Sequence, residues 1–247
     1  MPPCVRRFER TIPVHVLELE ADLTRTQREG LGKIETLTLL GVAQETTTRI
    51  PATPETDRRI DAVLFVRASL GNTRALESTA TVVHACFPHP SVLILENARG
   101  DVCLSAALTS RRKRATGFAV NAMEADSDIG SWRRTEQGKA FLSSLAFETL
   151  DQRSLAHLTQ DIMARIRLAR VARLVGFYPD PGLCRTPDVV AVIERLLECQ
   201  GRQDRLRARW KAHGTTQRER LRLRIPLSEA IDQTKAAVDE LTRRCGR

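Results

Sequence analysis

Ser91-Val92-Leu93-Ile94-Leu95-Glu96-Asn97-Ala98-Arg99-Gly100-Asp101-Val102-Cys103-Leu104-Ser105-Ala106 is the stretch whose reading decides the fold. Its two ends are short apolar runs, the right length for strands and rich in side chains that suit a pleated surface. Between them the segment Glu96 to Asp101 holds Asn, Gly and Asp, which turn a chain tightly. The whole predicts a β-hairpin.

Upstream, Ile60 to Val66 is an apolar run broken only by Asp61, and it reads as a central strand. Asn72-Thr73 then cap a predicted helix carrying Leu76, Ala80, Val83 and His84, which Phe87-Pro88-His89-Pro90 stops. Nearer the start, a polar helix is predicted over Ala21 to Gly30, with Thr24 or Thr26 as cap. Ile34 to Leu39 alternates as a half-buried strand, and Ile50 to Pro54 reads as a loop. Downstream of the hairpin come a basic loop, Arg111-Arg112-Lys113-Arg114, a strand over Gly117 to Met123 and an irregular polar stretch from Asp126 to Arg134. From Gly138 the period becomes helical, with Phe141, Leu142, Leu145 and Ala146 expected on one face. A longer helix over about Gln152 to Val175 has Leu155, Leu158, Ile162, Ile166 and Ala169 as its buried stripe.

Phe177-Tyr178-Pro179-Asp180-Pro181-Gly182 marks a boundary. Beyond it, Thr186-Pro187-Asp188 joins a cap, a first-turn proline and an acid at the positive end of the helix dipole. Val189, Val192, Leu196, Cys199, Gln203, Leu206 and Trp210 come next at heptad spacing. His213-Gly214 interrupts the helix, Thr216-Gln217-Arg218-Glu219 matches a capping box, and Pro226 is expected to kink or restart the second helix. Ile231, Thr234, Val238, Leu241 and Cys245 resume the heptad. The predicted fold is α+β: a mixed or largely antiparallel sheet packed with helices over residues 1–180, then a coiled-coil helical hairpin over residues 186–245.

The 247 residues are 42% hydrophobic, enough for a real core, but only 4% aromatic, so aliphatic side chains must fill it. No stretch approaches the ~20 apolar residues of a membrane span. Met1 to Arg7 lacks the apolar centre of a signal peptide, and six scattered cysteines without a CxxC pair read as reduced thiols in a cytoplasm. The net charge of +9 favours polyanionic partners, DNA or RNA or an acidic protein surface. Residues 181–247 alone carry 15 Lys and Arg against 9 Asp and Glu, a net +6. Arg202, Arg205, Arg207, Arg209 and Lys211 approach the hairpin turn, and Arg218, Arg220, Arg222 and Arg224 leave it. Of these, Arg202, Arg205, Arg209, Arg218, Arg220 and Arg222, together with Arg111, Arg112, Lys113 and Arg114, are the candidate binding residues for nucleic acid or a partner.

The chain has no Walker loop, GxGxxG, HExxH or GxSxG, so it lacks the usual residues of nucleotide hydrolysis and common zinc-hydrolase chemistry. No cofactor is expected. His84, Cys86 and His89 lie close in sequence, but a structural zinc site needs four ligands and no second cluster supplies the rest. Asp61 and Glu96, at the edges of two strands, leave open a divalent-metal nuclease, although the acid-x-lysine usual at such sites is missing.

Three stretches carry a resemblance: Ile60 to Val66; Val83-His84-Ala85-Cys86-Phe87-Pro88-His89-Pro90 running on to Leu95 and the hairpin ending Cys103 to Ala107; and Phe141-Leu142-Ser143-Ser144-Leu145-Ala146. With the helical tail they resemble one of the numbered bacterial domains of unknown function, over residues 31–245. Members of that family are cytoplasmic, with an α+β body and a C-terminal coiled coil. Their genes often lie beside those of superfamily-2 helicases and DNA methyltransferases in anti-phage defence islands. Where members carry a lysine after the hairpin, this chain has Leu108-Thr109-Ser110. The resemblance brings no catalytic residue. It implies a non-catalytic accessory subunit docking a helicase- or methyltransferase-type defence protein. The alternatives are the nuclease around Asp61 and Glu96 and a homo-oligomeric scaffold.

Overall fold

Strands follow the apolar runs, and helix ends follow local cap chemistry. The computed structural model describes residues 6–20, 23–55, 58–111 and 118–246. In chain order these form β1 (Arg6–Thr11), α1 (Val14–Glu20), α2 (Arg25–Leu31), β2 (Ile34–Gln44), α3 (Glu45–Thr48), β3 (Thr53–Glu55), β4 (Arg58–Ile60) and β5 (Ala62–Leu70). There follow α4 (Leu76–His84), β6 (Ser91–Asn97), β7 (Val102–Arg111), β8 (Phe118–Asp126), α5 (Ile129–Trp132), α6 (Glu136–Ser144), α7 (Leu155–Val175), α8 (Pro187–Lys211) and α9 (Gln217–Cys245). The chain divides into two compact units, Met1–Ala169 and Arg170–Arg247. The change falls within α7, ahead of Pro179-Asp180-Pro181-Gly182.

In the first unit the described residues form a six-stranded sheet ordered β1-β2-β5-β6-β7-β8, with β3 and β4 as a separate pair. The fold class is α+β, as the sequence predicts. The sheet is mixed: β5 and β6 run parallel, and the other neighbouring pairs are antiparallel. A parallel pair needs a crossover, which α4 provides. One sheet face packs Leu37, Val66, Leu93, Leu95 and Cys103 against Leu17 and Leu31 of α1 and α2 and Val83 of α4. On the other face, Phe65, Val92 and Leu104 meet Leu158 and Ile162 of α7 around a cavity of about 110 Å³.

The predicted Ser91–Ala106 hairpin forms, with Glu96 opposite Val102. Asn97 organises its turn. The side-chain carbonyl accepts from the backbone amides of Arg99 and Asp101, and the amide donates to Thr73 O and Asp101 Oδ2. Gly100 supplies the positive φ of 79°.

Several expectations are corrected. The cap of α4 falls at Ala75; Thr73 Oγ1 instead accepts from the Ala75 amide, closing the turn before the helix. The stretch Asp126 to Arg134 is not irregular throughout, because Ile129 and Trp132 bury one side of α5. In α6, Phe141 is buried and Leu142 is exposed: adjacent positions lie about 100° apart on a helix and cannot share a face. Thr53–Glu55 is a short strand rather than loop.

In the second unit α8 and α9 pack along each other. The buried stripe of α8 includes Val189, Val192, Leu196 and Gln203, as the heptad predicts. That of α9 is shifted: Leu227, Ala230, Thr234, Ala237, Leu241 and Cys245 are buried, while Ile231 is exposed. Small Ala230 and Ala237 replace the expected Ile231 and Val238 at the seam and permit close helix approach. Helix α9 runs on through Pro226 instead of restarting there. One lost backbone donor is outweighed by a cap ten residues upstream and an apolar stripe downstream.

Candidate nucleic-acid interface

The two strand-edge acids do not converge. Ser69 pairs with Glu96 across the parallel β5–β6 register, and Asp61 lies just ahead of β5, eight residues before Ser69. At about 3.3 Å per residue, that separates the two acids by roughly 26 Å. Asp61 instead pairs with His89 at 3.2 Å, and Glu96 with Arg67 at 2.8 Å. No cluster of three His, Cys, Asp or Glu side chains suited to a metal occurs among the described residues.

His84, Cys86 and His89 also part company. His84 is buried between two hydroxyls, with Nδ1 2.6 Å from Ser91 Oγ and Nε2 2.9 Å from Ser105 Oγ. Ser91 and Ser105 sit on adjacent strands and point to the same face as α4, so the histidine ties the crossover helix to the hairpin. Burial lowers its pKa from 6.5 to about 3. The Cys86 thiol donates to Val82 O, and burial pushes it up to about 12, far from a reactive thiolate.

Of the basic loop, Arg111 ends β7 opposite Phe118; Arg112, Lys113 and Arg114 lie outside the described residues.

Of the remaining candidates, Arg209, Arg218, Arg220 and Arg222 lie near the turn end of the α8–α9 pair, whereas Arg202 lines a separate groove with Gln233 and Glu240; the local chemistry shapes the turn. Helix α8 stops at Lys211, and Gly214 reverses the chain at φ +95°. Thr215 Oγ1 donates to the carbonyls of Arg209 and Ala212, at 2.8 and 3.0 Å. Thr216 and Glu219 form the predicted capping box: the Thr216 amide donates to Glu219 Oε2 at 2.9 Å, and the Glu219 amide to Thr216 Oγ1 at 3.3 Å. Those bonds with Thr216, helped by Arg209 and Arg222, hold the Glu219 carboxyl below its ordinary pKa. The turn is closed by its own hydrogen bonds.

Arg202, Arg205 and Arg209 run along α8, and Arg218, Arg220 and Arg222 open α9; all six are exposed. Arg209 and Arg222 line one cleft of about 340 Å³ with Ala212, Thr215, Glu219 and Leu223. Arg218 and Arg222 share a face at i,i+4 spacing, whereas Arg220 turns to the opposite side. Among the described residues, Arg202, Arg205, Arg218 and Arg220 form no ion pair. Residues 202–225 hold nine Lys and Arg against two Asp and Glu, a net +7.

Two features of this end were not expected from the sequence. Leu221 and Ile225, one turn apart on α9, are 62% and 68% exposed. Trp210, placed by spacing at the seam, is 39% exposed. Their i,i+4 spacing outside the heptad could have revealed the leucine and isoleucine. Nothing in the spacing marks the point where the seam opens.

A family model described as a domain of unknown function, DUF4391, matches residues 3–230. The chain belongs to the DUF4391 family. The DUF4391 match spans both units and reaches into α9, so the basic turn falls within it. No curated protein and no solved structure matches the chain. No helix among the described residues of this DUF4391 protein is long and apolar enough to cross a membrane.

Proposed function

We propose that this DUF4391 protein is a non-catalytic accessory subunit of a bacterial anti-phage defence complex. In this reading it acts in the cytoplasm and docks on nucleic acid through the arginine-rich turn between α8 and α9. The observation that carries the reading is the net +7 held in residues 202–225 around a hydrogen-bonded turn. Arginine suits phosphate because its planar fork donates in pairs, and a fixed turn reduces the entropy lost on binding. Phosphate contacts of this kind give affinity without sequence preference. A protein partner of helicase or methyltransferase type, implied by the family resemblance, would find an apolar anchor in Leu221 and Ile225. The separation of Asp61 from Glu96 removes the motive for a nuclease built on that pair.

Fluorescence anisotropy with labelled DNA duplexes of unrelated sequence tests the proposal. With about five phosphates neutralised, the logarithm of the binding constant should fall with the logarithm of salt at a slope near −4.5. Sequence-selective binding, or affinity indifferent to salt, would refute it.

A further inference from the structure

We propose that Trp210 makes the hairpin end selective for unpaired nucleic acid: the arginines hold the phosphates of a single strand while the indole stacks on one of its bases. This rests on the nucleic-acid reading above and narrows its substrate class.

The chain holds two tryptophans and one tyrosine. Trp132 is buried, its ring 5.8 Å from that of Phe141. Trp210 differs, with 39% of its surface open in the last turn of α8. The seam that leads to it is closed at Leu196 and half-closed at Leu206. The indole therefore stands where the helices stop covering each other. Arg209 and Lys211 flank it, and Arg207 lies one turn back on the same side of the helix. A large apolar ring left open to water among cations is unfavourable for the free protein unless something covers it.

The two forms of nucleic acid offer this surface different things. A duplex presents phosphates, but its base faces are closed within the stack. An unpaired strand presents phosphates and open π-faces together, and base–aromatic stacking adds affinity that a duplex cannot gain. Every base has such a face, so a single indole selects strandedness without reading sequence. A second copy of this chain fits the surface poorly, because two ends of net +7 repel.

The intact protein supplies its own probe, since Trp132 is shielded and Trp210 is not. Titration with a short oligothymidylate and with a mixed-sequence duplex of equal strand length should show tighter binding and quenched tryptophan emission for the single strand only. Trp210→Leu keeps an apolar side chain at the seam but removes the flat face. It should weaken single-strand binding from roughly fivefold to about a hundredfold, while duplex binding and its salt slope stay unchanged. Trp210→Phe should recover part of the loss. Equal binding of both forms by the native protein, or native single-strand affinity in Trp210→Leu, overturns the inference but leaves the basic-turn reading standing. If neither form binds at low salt, both fall.

Discussion

Two sites in this protein, one in each unit, use arginine in opposite ways. In the first, Arg165 is buried with Asp161 at 2.9 Å, and its guanidinium also donates to the carbonyls of Ser144 and Thr149. The Asp161 carboxylate in turn accepts from the Asp151 amide. Arg167 likewise closes on Glu124 of β8. Both of these arginines are matched by a carboxylate and tie a loop or strand to α7. At the α8–α9 turn, arginines are crowded, exposed and set on a hydrogen-bonded frame. Charge satisfied internally serves stability; charge left facing solvent at such density is available to something outside. The same residue type thus anchors the fold at one site and faces solvent at the other.

The contrast can be broken most severely at Arg165. Arg165→Ala strands the Asp161 carboxylate in the interior, which typically costs about 3–5 kcal/mol. Denaturant melts should show that loss. A loss below about 1 kcal/mol would mean the pair is no structural anchor.

A second test uses pH. Folded His84 titrates near 3, whereas in the unfolded chain it takes up a proton near 6.5. The neutral form is the folded one, so the stabilisation is complete above 6.5 and is lost as pH falls toward 3. At about 1.4 kcal/mol per unit, roughly 2 kcal/mol should be gone at pH 5. His84→Gln, which cannot titrate, should flatten that part of the stability profile. An unchanged profile would show that burial does not hold His84 neutral.

At the turn itself effects on stability should be smaller. Thr216→Ala removes the capping hydroxyl and should cost about 1 kcal/mol, read by thermal melting. It should also weaken nucleic-acid binding, since the frame for Arg209 and Arg222 loosens. Normal binding by this variant would show that the frame is dispensable.

Much of this architecture is legible in the sequence. The hairpin around Asn97–Asp101, the α7 stripe, the Thr216–Glu219 box and the Gly214 reversal each rest on short-range chemistry. What escapes the sequence depends on distant partners. Nothing local tells that Ala230 and Ala237, rather than Ile231 and Val238, face α8; that depends on how closely the two helices approach. Gln203 shows the same at atomic scale: with its amide turned to satisfy both neighbours, it donates to Thr234 and accepts from Arg207. The charge of the site could be counted from sequence. The Thr215 bonds that close its turn and the opening of the seam at Trp210 could not. The distance between Asp61 and Glu96 was hidden too, because strand register is a pairwise property.

The smallest expected change in stability accompanies the largest in binding. Replacing Arg205, Arg218 and Arg220 together by alanine should alter stability by only about 0.5 kcal/mol per site, as exposed substitutions do. The salt dependence of binding should become shallower by roughly 0.9 for each phosphate that is no longer neutralised. Arg67→Ala, which breaks the exposed pair with Glu96 on the sheet, is the matched control. The most direct measurement is the salt slope of nucleic-acid binding for the native protein, the triple variant and Arg67→Ala, side by side. The account predicts a slope reduced by about 2–3 in the triple variant and unchanged in Arg67→Ala. A native slope in the triple variant, or an equal reduction in both, would contradict it.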